Sequence, residues 1–464
     1  MSSNAATAER DDPERARQLR RAIIASTVGT TIEWYDYFLY STVTPLVFAQ
    51  LYFPGSDPLT SQLNAFGVYF VGFIARPIGA LIFGHYGDRI GRKAALIASL
   101  LLMGLGTFFV ALVPGYTSIG IAGGIILSIL RFIQGVGVGG EWGGSVLLSM
   151  EWGRHGRRGF NASWPQFGVP AGLLLANLAV LFFSVISGPD FVNWGWRIPF
   201  ILSLVLVAVG LWIRLGILET PTFQRLVETR RVERQPVLEV LRQHPKEIIL
   251  ASLARVSEQA PFYVFTAFVF TYAVGSGSAL GFDRNFILLP VLVASVLGFV
   301  TIPVFGHLSD LFGRKPVYMI GAALTGVFGF VYFGLLDTKS AALVFIAIAI
   351  SLIPHDMQYG PQAAMIAESF PGRLRYSGAS IGYQLSSVFA GGPAPLIAVA
   401  LFAAYKTGYA VAGYIAVCAV ITLIAVGFMR ERAQVDIGKE YGDDEAEVLP
   451  TARPGTAAAP NVTS

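Results

Sequence analysis

The chain has 464 residues, 54% of them hydrophobic and 13% charged, with a formal net charge of +4. A soluble chain carries about 25% charged residues, so an ordinary water-soluble globular protein is excluded, and the small positive balance is topological rather than a nucleic-acid footprint. The single cysteine, Cys418, excludes an intramolecular disulfide and a cysteine metal site.

Arg10, Arg15, Arg17, Arg20 and Arg21 precede the first apolar run, and residues 1–21 read as a basic arm. That run, Ile23–Leu51, is too long for a cleaved signal peptide and lacks a small-residue cleavage site. Eleven further spans follow: Ala65–Phe83, Ala94–Val113, Ile119–Leu148, Phe160–Phe183, Trp196–Leu215, Ile248–Val274, Phe286–Phe305, Val317–Leu336, Ala341–Ile366, Ala379–Ala404 and Gly408–Phe428. Each approaches or exceeds the roughly 20 residues that cross a bilayer as helix. Alternate loops hold most of the Lys and Arg: Arg89/Arg92/Lys93, Arg154/Arg157/Arg158, Arg225 through Lys246, Arg314/Lys315 and Arg373/Arg375. The basic side faces the cytoplasm, so both termini are expected inside. The loop 216–246 is charged, contains Pro221, Pro236 and Pro245, and reads as a linker with one amphipathic helix. It separates a six-helix bundle over 22–215 from another over 247–430, and a polar, then Ala/Pro-rich tail over 431–464 is expected to be disordered. Asn461-Val-Thr matches a glycosylation sequon that has no meaning on the cytoplasmic side.

The two halves repeat each other. Gly84-His-Tyr-Gly-Asp88-Arg-Ile-Gly91-Arg92-Lys93 recurs 222 positions later as Gly306-His-Leu-Ser-Asp310-Leu-Phe-Gly313-Arg314-Lys315. The same offset sets Asp36 opposite Glu258. Glu151 and Arg158 recur, at the same spacing, as Glu368 and Arg375. The duplication predicts an all-α membrane protein of twelve helices in two pseudo-symmetric bundles, with a ligand site between them near mid-membrane. The hairpin Asp can accept hydrogen bonds from a neighbouring helix N-terminus, and Arg92 and Arg314 can bridge to Glu151 and Glu368. Asp88, Arg92, Glu151, Arg158, Asp310, Arg314, Glu368 and Arg375 are therefore candidates for a cytoplasmic gate that locks one conformation.

Gly-x-x-x-Asp-Arg-x-Gly-Arg-Lys, the fourth-span Arg131-Phe-Ile-Gln-Gly-Val-Gly-Val-Gly-Gly and the Glu-x6-Arg pairs resemble the major facilitator superfamily. Gly29-Thr-Thr-Ile-Glu33-Trp34-Tyr35-Asp36-Tyr37, Ala75-Arg76-Pro77, Gly139-Gly-Glu141-Trp142-Gly-Gly, Glu219-Thr-Pro-Thr-Phe223 and Arg375-Tyr-Ser-Gly-Ala-Ser380 resemble, more narrowly, its metabolite:proton symporters. That family includes carriers of shikimate, 2-oxoglutarate, citrate, proline and betaine. The match covers about residues 20–430, and the absence of C-terminal heptads argues against the osmosensing branch. The resemblance implies a multi-pass protein of the bacterial inner membrane that needs no cofactor beyond the proton, works as a monomer, and carries a small carboxylate or zwitterion.

With a rise of about 1.5 Å per residue, Asp36 lies about 21 Å in from the cytoplasmic end and Arg131 about 18 Å in from the other. Arg76, Arg255, Glu258 and His355 fall in the same zone by that count. Each charge there costs at least about 2.5 kcal/mol unless it faces a partner or water. Glu33 and Asp36 share a helical face, and carboxylates so close repel, which favours one of them holding a proton. Arg131 is a candidate counter-ion. In the resembling symporters a first-span Asp paired with a fourth-span Arg carries the coupling, which implies Asp36 and Arg131 here, with Glu33 and Glu258 as further proton-coupling candidates. Arg76 reads either as an anchor for a substrate carboxylate or as a structural partner of Glu33, Asp36 or Glu141. Arg255 and Glu258, three apart, read first as a structural pair, and His355-Asp356 as a lesser proton-path candidate. Tyr37, Trp164, Gln166, Arg255, Tyr383 and Gln384 complete the substrate-binding candidates, with Trp34 and Tyr359 beside them. Glycines 135–144 predict a sliding interface. No nucleotide loop, metal cluster or nucleophile–base arrangement points to an enzyme. Besides carboxylate uptake, the alternatives are zwitterion uptake, drug or metabolite efflux, and a non-transporting membrane sensor.

Overall fold

A computed structural model of the chain describes residues 13–54, 58–152, 155–228, 235–274 and 279–435. The first twelve residues of the arm and the tail from residue 436 lie outside the described residues. The membrane-crossing helices are numbered here in chain order. The N-terminal half holds α1 (Pro13–Val43, continued by a π turn at Thr44–Phe48), α2 (Pro58–Ile90), α3 (Arg92–Leu112), α4 (Ala122–Glu151), α5 (Arg158–Phe191) and α6 (Arg197–Leu215). The C-terminal half holds α7 (245–273), α8 (Arg284–Phe312), α9 (Arg314–Asp337), α10 (Ala341–Ala367), α11 (Gly372–Tyr405) and α12 (Gly408–Phe428). Between the halves the linker forms two short helices, Pro221–Glu228 and Pro236–Gln243, rather than one. The first helix starts earlier than its apolar run, because Arg-rich residues from 13 onward continue it into water.

Ten helices among the described residues are individually long and apolar enough to cross a membrane. The two that are not, α1 and α7, open their respective halves and carry Glu33/Asp36 and Arg255/Glu258. Both are also irregular at matching places: π turns sit at Thr44–Phe48 and Val264–Phe268, and α7 is broken again at Arg255. Such turns recur where helices serve a function.

Across the interface α2 packs on α11, and α5 on α8 and α10. The glycines of α4 act mainly inside the N-terminal half. A Cβ on Gly139 would strike the Arg76 carbonyl, so glycine is what brings α4 onto α2. Gly143 and Gly144 face Tyr376 of the other half, which donates to the Gly140 carbonyl at 2.6 Å.

The hairpin repeat has a structural counterpart beyond its own residues. Gly91 (φ 114°) and Gly313 (φ 97°) make the reversals at backbone angles that side chains disfavour. Lys93 donates to the carbonyls of Leu215 and Ile217, and Lys315 to those of Gly427 and Met429. The Lys93 and Lys315 backbone amides donate to Glu219 and Glu431, so each hairpin is fastened to the last helix of its own half.

Candidate functional site

At the basic end of the bundle the eight candidate gate residues come together, all buried. Glu368 lies 2.8 Å from Arg158 and 3.1 Å from Arg314, and Arg314 is 2.7 Å from Asp310. Glu151 lies 3.3 Å from Arg375 and 3.8 Å from Arg92, and Arg92 is 3.4 Å from Asp88. Each glutamate thus bonds the arginine of the opposite half, not the one seven residues along its own chain. The two aspartates cap helices across the same interface. Asp88 accepts from the Tyr376 and Ser377 amides at the start of α11, and Asp310 from the Gly159 and Phe160 amides at the start of α5. A carboxylate at a helix N-terminus meets unpaired amides and the positive end of the dipole. Residues 432–435, expected within the disordered tail, lie across this network instead: Arg158 donates to the carbonyls of Arg432, Ala433 and Val435 at 2.9–3.1 Å.

Nearer the middle, the structure gathers α1, α2 and α4 around the ring of Tyr37. The Arg76 guanidinium lies 4.7 Å from that ring, 4.7 Å from Phe73 and 5.8 Å from Trp34. Arg131 lies 5.2 Å from the same Tyr37 ring, 4.3 Å from Tyr40 and 5.0 Å from Tyr69. Both arginines are 3% exposed, and among the described residues neither has a carboxylate within 4.0 Å. This corrects two expectations. Asp36 and Arg131 do not form a direct ion pair: Asp36 Oδ2 accepts from Thr107 on α3 at 2.9 Å, and Arg131 donates to Gln134 at 3.4 Å. Arg76 is not the partner of Glu141, which bonds Arg214 of α6 together with Ser99 and Ser145. Glu33 Oε2, Asp36 Oδ1 and Arg131 Nε are buried with no hydrogen-bond partner.

The C-terminal half presents the opposite picture. Arg255 bonds Glu258 at 3.2 Å, Gln362 at 3.2 Å and the Tyr383 carbonyl, and lies 3.3 Å from the centre of the Tyr383 ring. Glu258 also accepts from Gln362 at 3.1 Å and lies 3.4 Å from His355, which lies 2.9 Å from Asp356. Arg255 is thus filled by protein groups rather than open to a ligand.

The remaining substrate-binding candidates divide. Tyr383 stacks on Trp142 at 3.6 Å, Trp142 donates to Gln166 at 2.8 Å, Gln166 donates to the Tyr359 carbonyl, and Gln384 donates to the Val138 carbonyl. The Tyr383–Trp142 stack and the Gln166 and Gln384 bonds tie the halves together. Trp164 stands apart, half-buried against Phe160 and Phe167 on the α5–α8 side, so the central indole is Trp142 instead. Sequence reasoning missed Trp142, Tyr263 (its hydroxyl 3.3 Å from that of Tyr37), Thr107, Gln134 and Arg214 as members of these clusters. Gln134 was signalled by its i,i+3 position from Arg131; Thr107 carries no local signal. No group of three or more His, Cys, Asp or Glu among the described residues could hold a metal ion.

Two family patterns match the chain: Sugar (and other) transporter over residues 21–252 and Major Facilitator Superfamily over 259–454. The inner membrane metabolite transport protein YhjE of Escherichia coli K12 is 38% identical over 410 residues, covering 88% of this chain and 93% of that protein. The shikimate transporter of the same organism is 39% identical, covering 82% and 87%. Its proline/betaine transporter is 31% identical, covering 90% and 84%. Among solved structures, the proton:xylose symporter XylE bound to 6-bromo-6-deoxy-D-glucose superposes with a TM-score of 0.71 at 16% identity, covering 92% of this chain and 98% of that one.

Proposed function

The chain belongs to the major facilitator superfamily, as a multi-pass membrane transporter of small molecules and not an enzyme, and we propose that it is a proton-coupled symporter importing a small carboxylate metabolite by alternating access. The observation that carries this reading is the pair of buried guanidiniums, Arg76 and Arg131, over one tyrosine ring with no carboxylate among the described residues in ion-pair reach. A buried cation without an anion is costly, and an incoming carboxylate supplies one. Arg presents a fork that fits it. The relatives that carry shikimate or proline and betaine are in keeping with such a cargo.

Coupling falls to Asp36, with Glu33 beside it. When Asp36 takes a proton, Arg131 loses the attraction of a carboxylate that lies beyond contact, and its charge draws the cargo carboxylate in. Proton and cargo are thus linked by charge alone. The cross-half gate at the basic end is closed in this structure; it faces the cytoplasm in the orientation set by the Lys and Arg loops, with both termini inside. Breaking the Glu151–Arg375 and Glu368–Arg158 bonds opens that side.

A zwitterion such as betaine is the second reading, because aromatic rings line the centre and can face a quaternary ammonium. Tyr37, Phe73 and Tyr69 already hold arginines over their rings, which favours the carboxylate. In proteoliposomes, uptake of labelled shikimate, 2-oxoglutarate or a related acid should rise with an inward proton gradient and collapse with a protonophore. Uptake indifferent to both ends the symporter reading, and betaine outcompeting every carboxylate reverses the choice of cargo.

A further inference from the structure

Asp36 and Arg131 are joined not by contact but by two side chains set between them. Arg131 has only donors, so the Gln134 atom facing its Nη1 is Oε1. That turns the Gln134 amide nitrogen, at 2.8 Å, toward Thr107 Oγ1, which must accept. The Thr107 hydroxyl has one hydrogen and two acceptors in reach: Asp36 Oδ2 at 2.9 Å and the Met103 carbonyl at 3.1 Å. Ionised Asp36 takes that hydrogen. Protonated Asp36 becomes a donor instead. The Thr107 hydrogen then turns to Met103, and its oxygen accepts from Asp36 on the second lone pair. Both protonation states are accommodated without moving a heavy atom, yet the polarity of the bond to Asp36 reverses. All four side chains are buried, so water cannot substitute for the relay.

The same plan recurs in the other half without charges. Gln358 on α10 donates to Thr325 on α9 at 2.9 Å, and Ser257 on α7 donates to Gln358. There the threonine donates to the Gly321 carbonyl of its own helix, and Ser257 bonds the amide oxygen at the place that Arg131 takes in the N-terminal half. The duplicated fold supplies the hydroxyl–amide link twice, and only the N-terminal copy has a titrating group at one end and an arginine at the other.

We propose that Thr107 and Gln134 are positioning residues that hold Asp36 in both of its protonation states, Thr107 as a two-way hydroxyl and Gln134 as the amide that fixes the Thr107 oxygen as its acceptor and bonds Arg131 on its other side. This rests on reading Asp36 as the coupling carboxylate. The groups facing Asp36 are Arg131 from α4, the Thr107 hydroxyl from α3, and Glu33 and Tyr35 on its own helix. From the other helices packed on α1, α6 brings Arg214, held by Glu141, and α5 brings Asn177, held by Thr42.

The test is infrared difference spectroscopy of the purified full chain in lipid, following the carboxylic-acid C=O band that disappears in Asp36→Asn. Thr107→Val removes the donor that favours the ionised form. A hydrogen bond to a charged group stabilises by about 1.5–3 kcal/mol, so the band's midpoint should move to higher pH by about one unit or more. Thr107→Ser should keep the wild-type midpoint, and Thr107→Ala replaces the valine variant should that one not fold. An unmoved midpoint in the variant lacking the hydroxyl, a serine variant that shifts as valine does, or no titrating Asp36 band in the wild type overturns the proposal. Uptake is measured in parallel. If the band shifts but wild-type uptake ignores the proton gradient, the coupling reading falls and the relay stands. If uptake is gradient-driven and the band does not move, the relay falls and the coupling reading stands.

Discussion

In the C-terminal half, the buried ionisable groups near mid-bundle hold one another: Arg255 with Glu258, Glu258 beside His355, His355 with Asp356. In the N-terminal half, Glu33, Asp36, Arg76 and Arg131 occupy the corresponding zone with no oppositely charged group within 4.0 Å among the described residues. The two halves share a helical plan down to the π turns of α1 and α7. Removing one member of a buried pair costs about 3–5 kcal/mol, so a paired cluster is stable and has little reason to change with a ligand. Groups left unpaired are satisfied by whatever arrives, which on the proposed function is a proton and an anion. On that proposal the duplicated fold has made one half an anchor and the other the working part.

The largest effect that could break this contrast is in coupling. Asp36→Asn keeps the shape and removes the titration, and proton-driven accumulation in proteoliposomes should fall about a hundredfold or more, as for loss of an obligatory group, while exchange of labelled for unlabelled cargo persists. The mirror substitution, Glu258→Gln, should instead lower stability by about 3–5 kcal/mol, read as denaturant or thermal unfolding in detergent, because it strands Arg255. Its surviving protein should still couple uptake to protons. A stable but uncoupled Glu258→Gln would reassign the working half.

Smaller effects sharpen the picture. Arg76→Lys keeps the charge and loses the fork, so apparent affinity for the carboxylate should weaken about tenfold; Arg255→Lys should change unfolding more than affinity. Unchanged cargo affinity in Arg76→Lys makes Arg76 a structural cation. At the gate, the Glu368 contacts (2.8 and 3.1 Å) are shorter than those of Glu151 (3.3 and 3.8 Å). Glu368→Gln should therefore raise thiol labelling of a Ser380→Cys reporter from the side of the basic loops by about tenfold, and Glu151→Gln by only about threefold, in a Cys418→Ser background. Equal rates would mean that the two bridges share the closing work evenly.

The chain alone determines a good deal here. Hydropathy windows report burial in lipid, which is a property of each segment by itself, so ten of the spans are legible that way, and α1 and α7, which carry mid-membrane charges, by their place in the duplicated plan. The hairpin repeat and the Glu-x6-Arg elements are likewise local patterns. Depth follows from helical rise, which is why Asp36, Arg76 and Arg131 could be placed in one layer before any contact was known. What depth cannot supply is azimuth and partner. Rise along a helix says how far in a side chain lies, not which neighbour it meets. Only the packing of α1 on α3 and α4 decided that Asp36 meets Thr107 rather than Arg131. Glu151 and Arg158 are close in sequence, yet the turn between α4 and α5 sends them to opposite bonds, each glutamate to the arginine of the other half. Trp164 and Trp142 are equally aromatic to a sequence reader; the rotation of α4 and α5 about their own axes put one in the centre and the other on the α5–α8 side. Sequence determined which residues pay the cost of mid-membrane charge, and tertiary packing alone decided which of them are relieved of it, because that relief depends on partners hundreds of positions away.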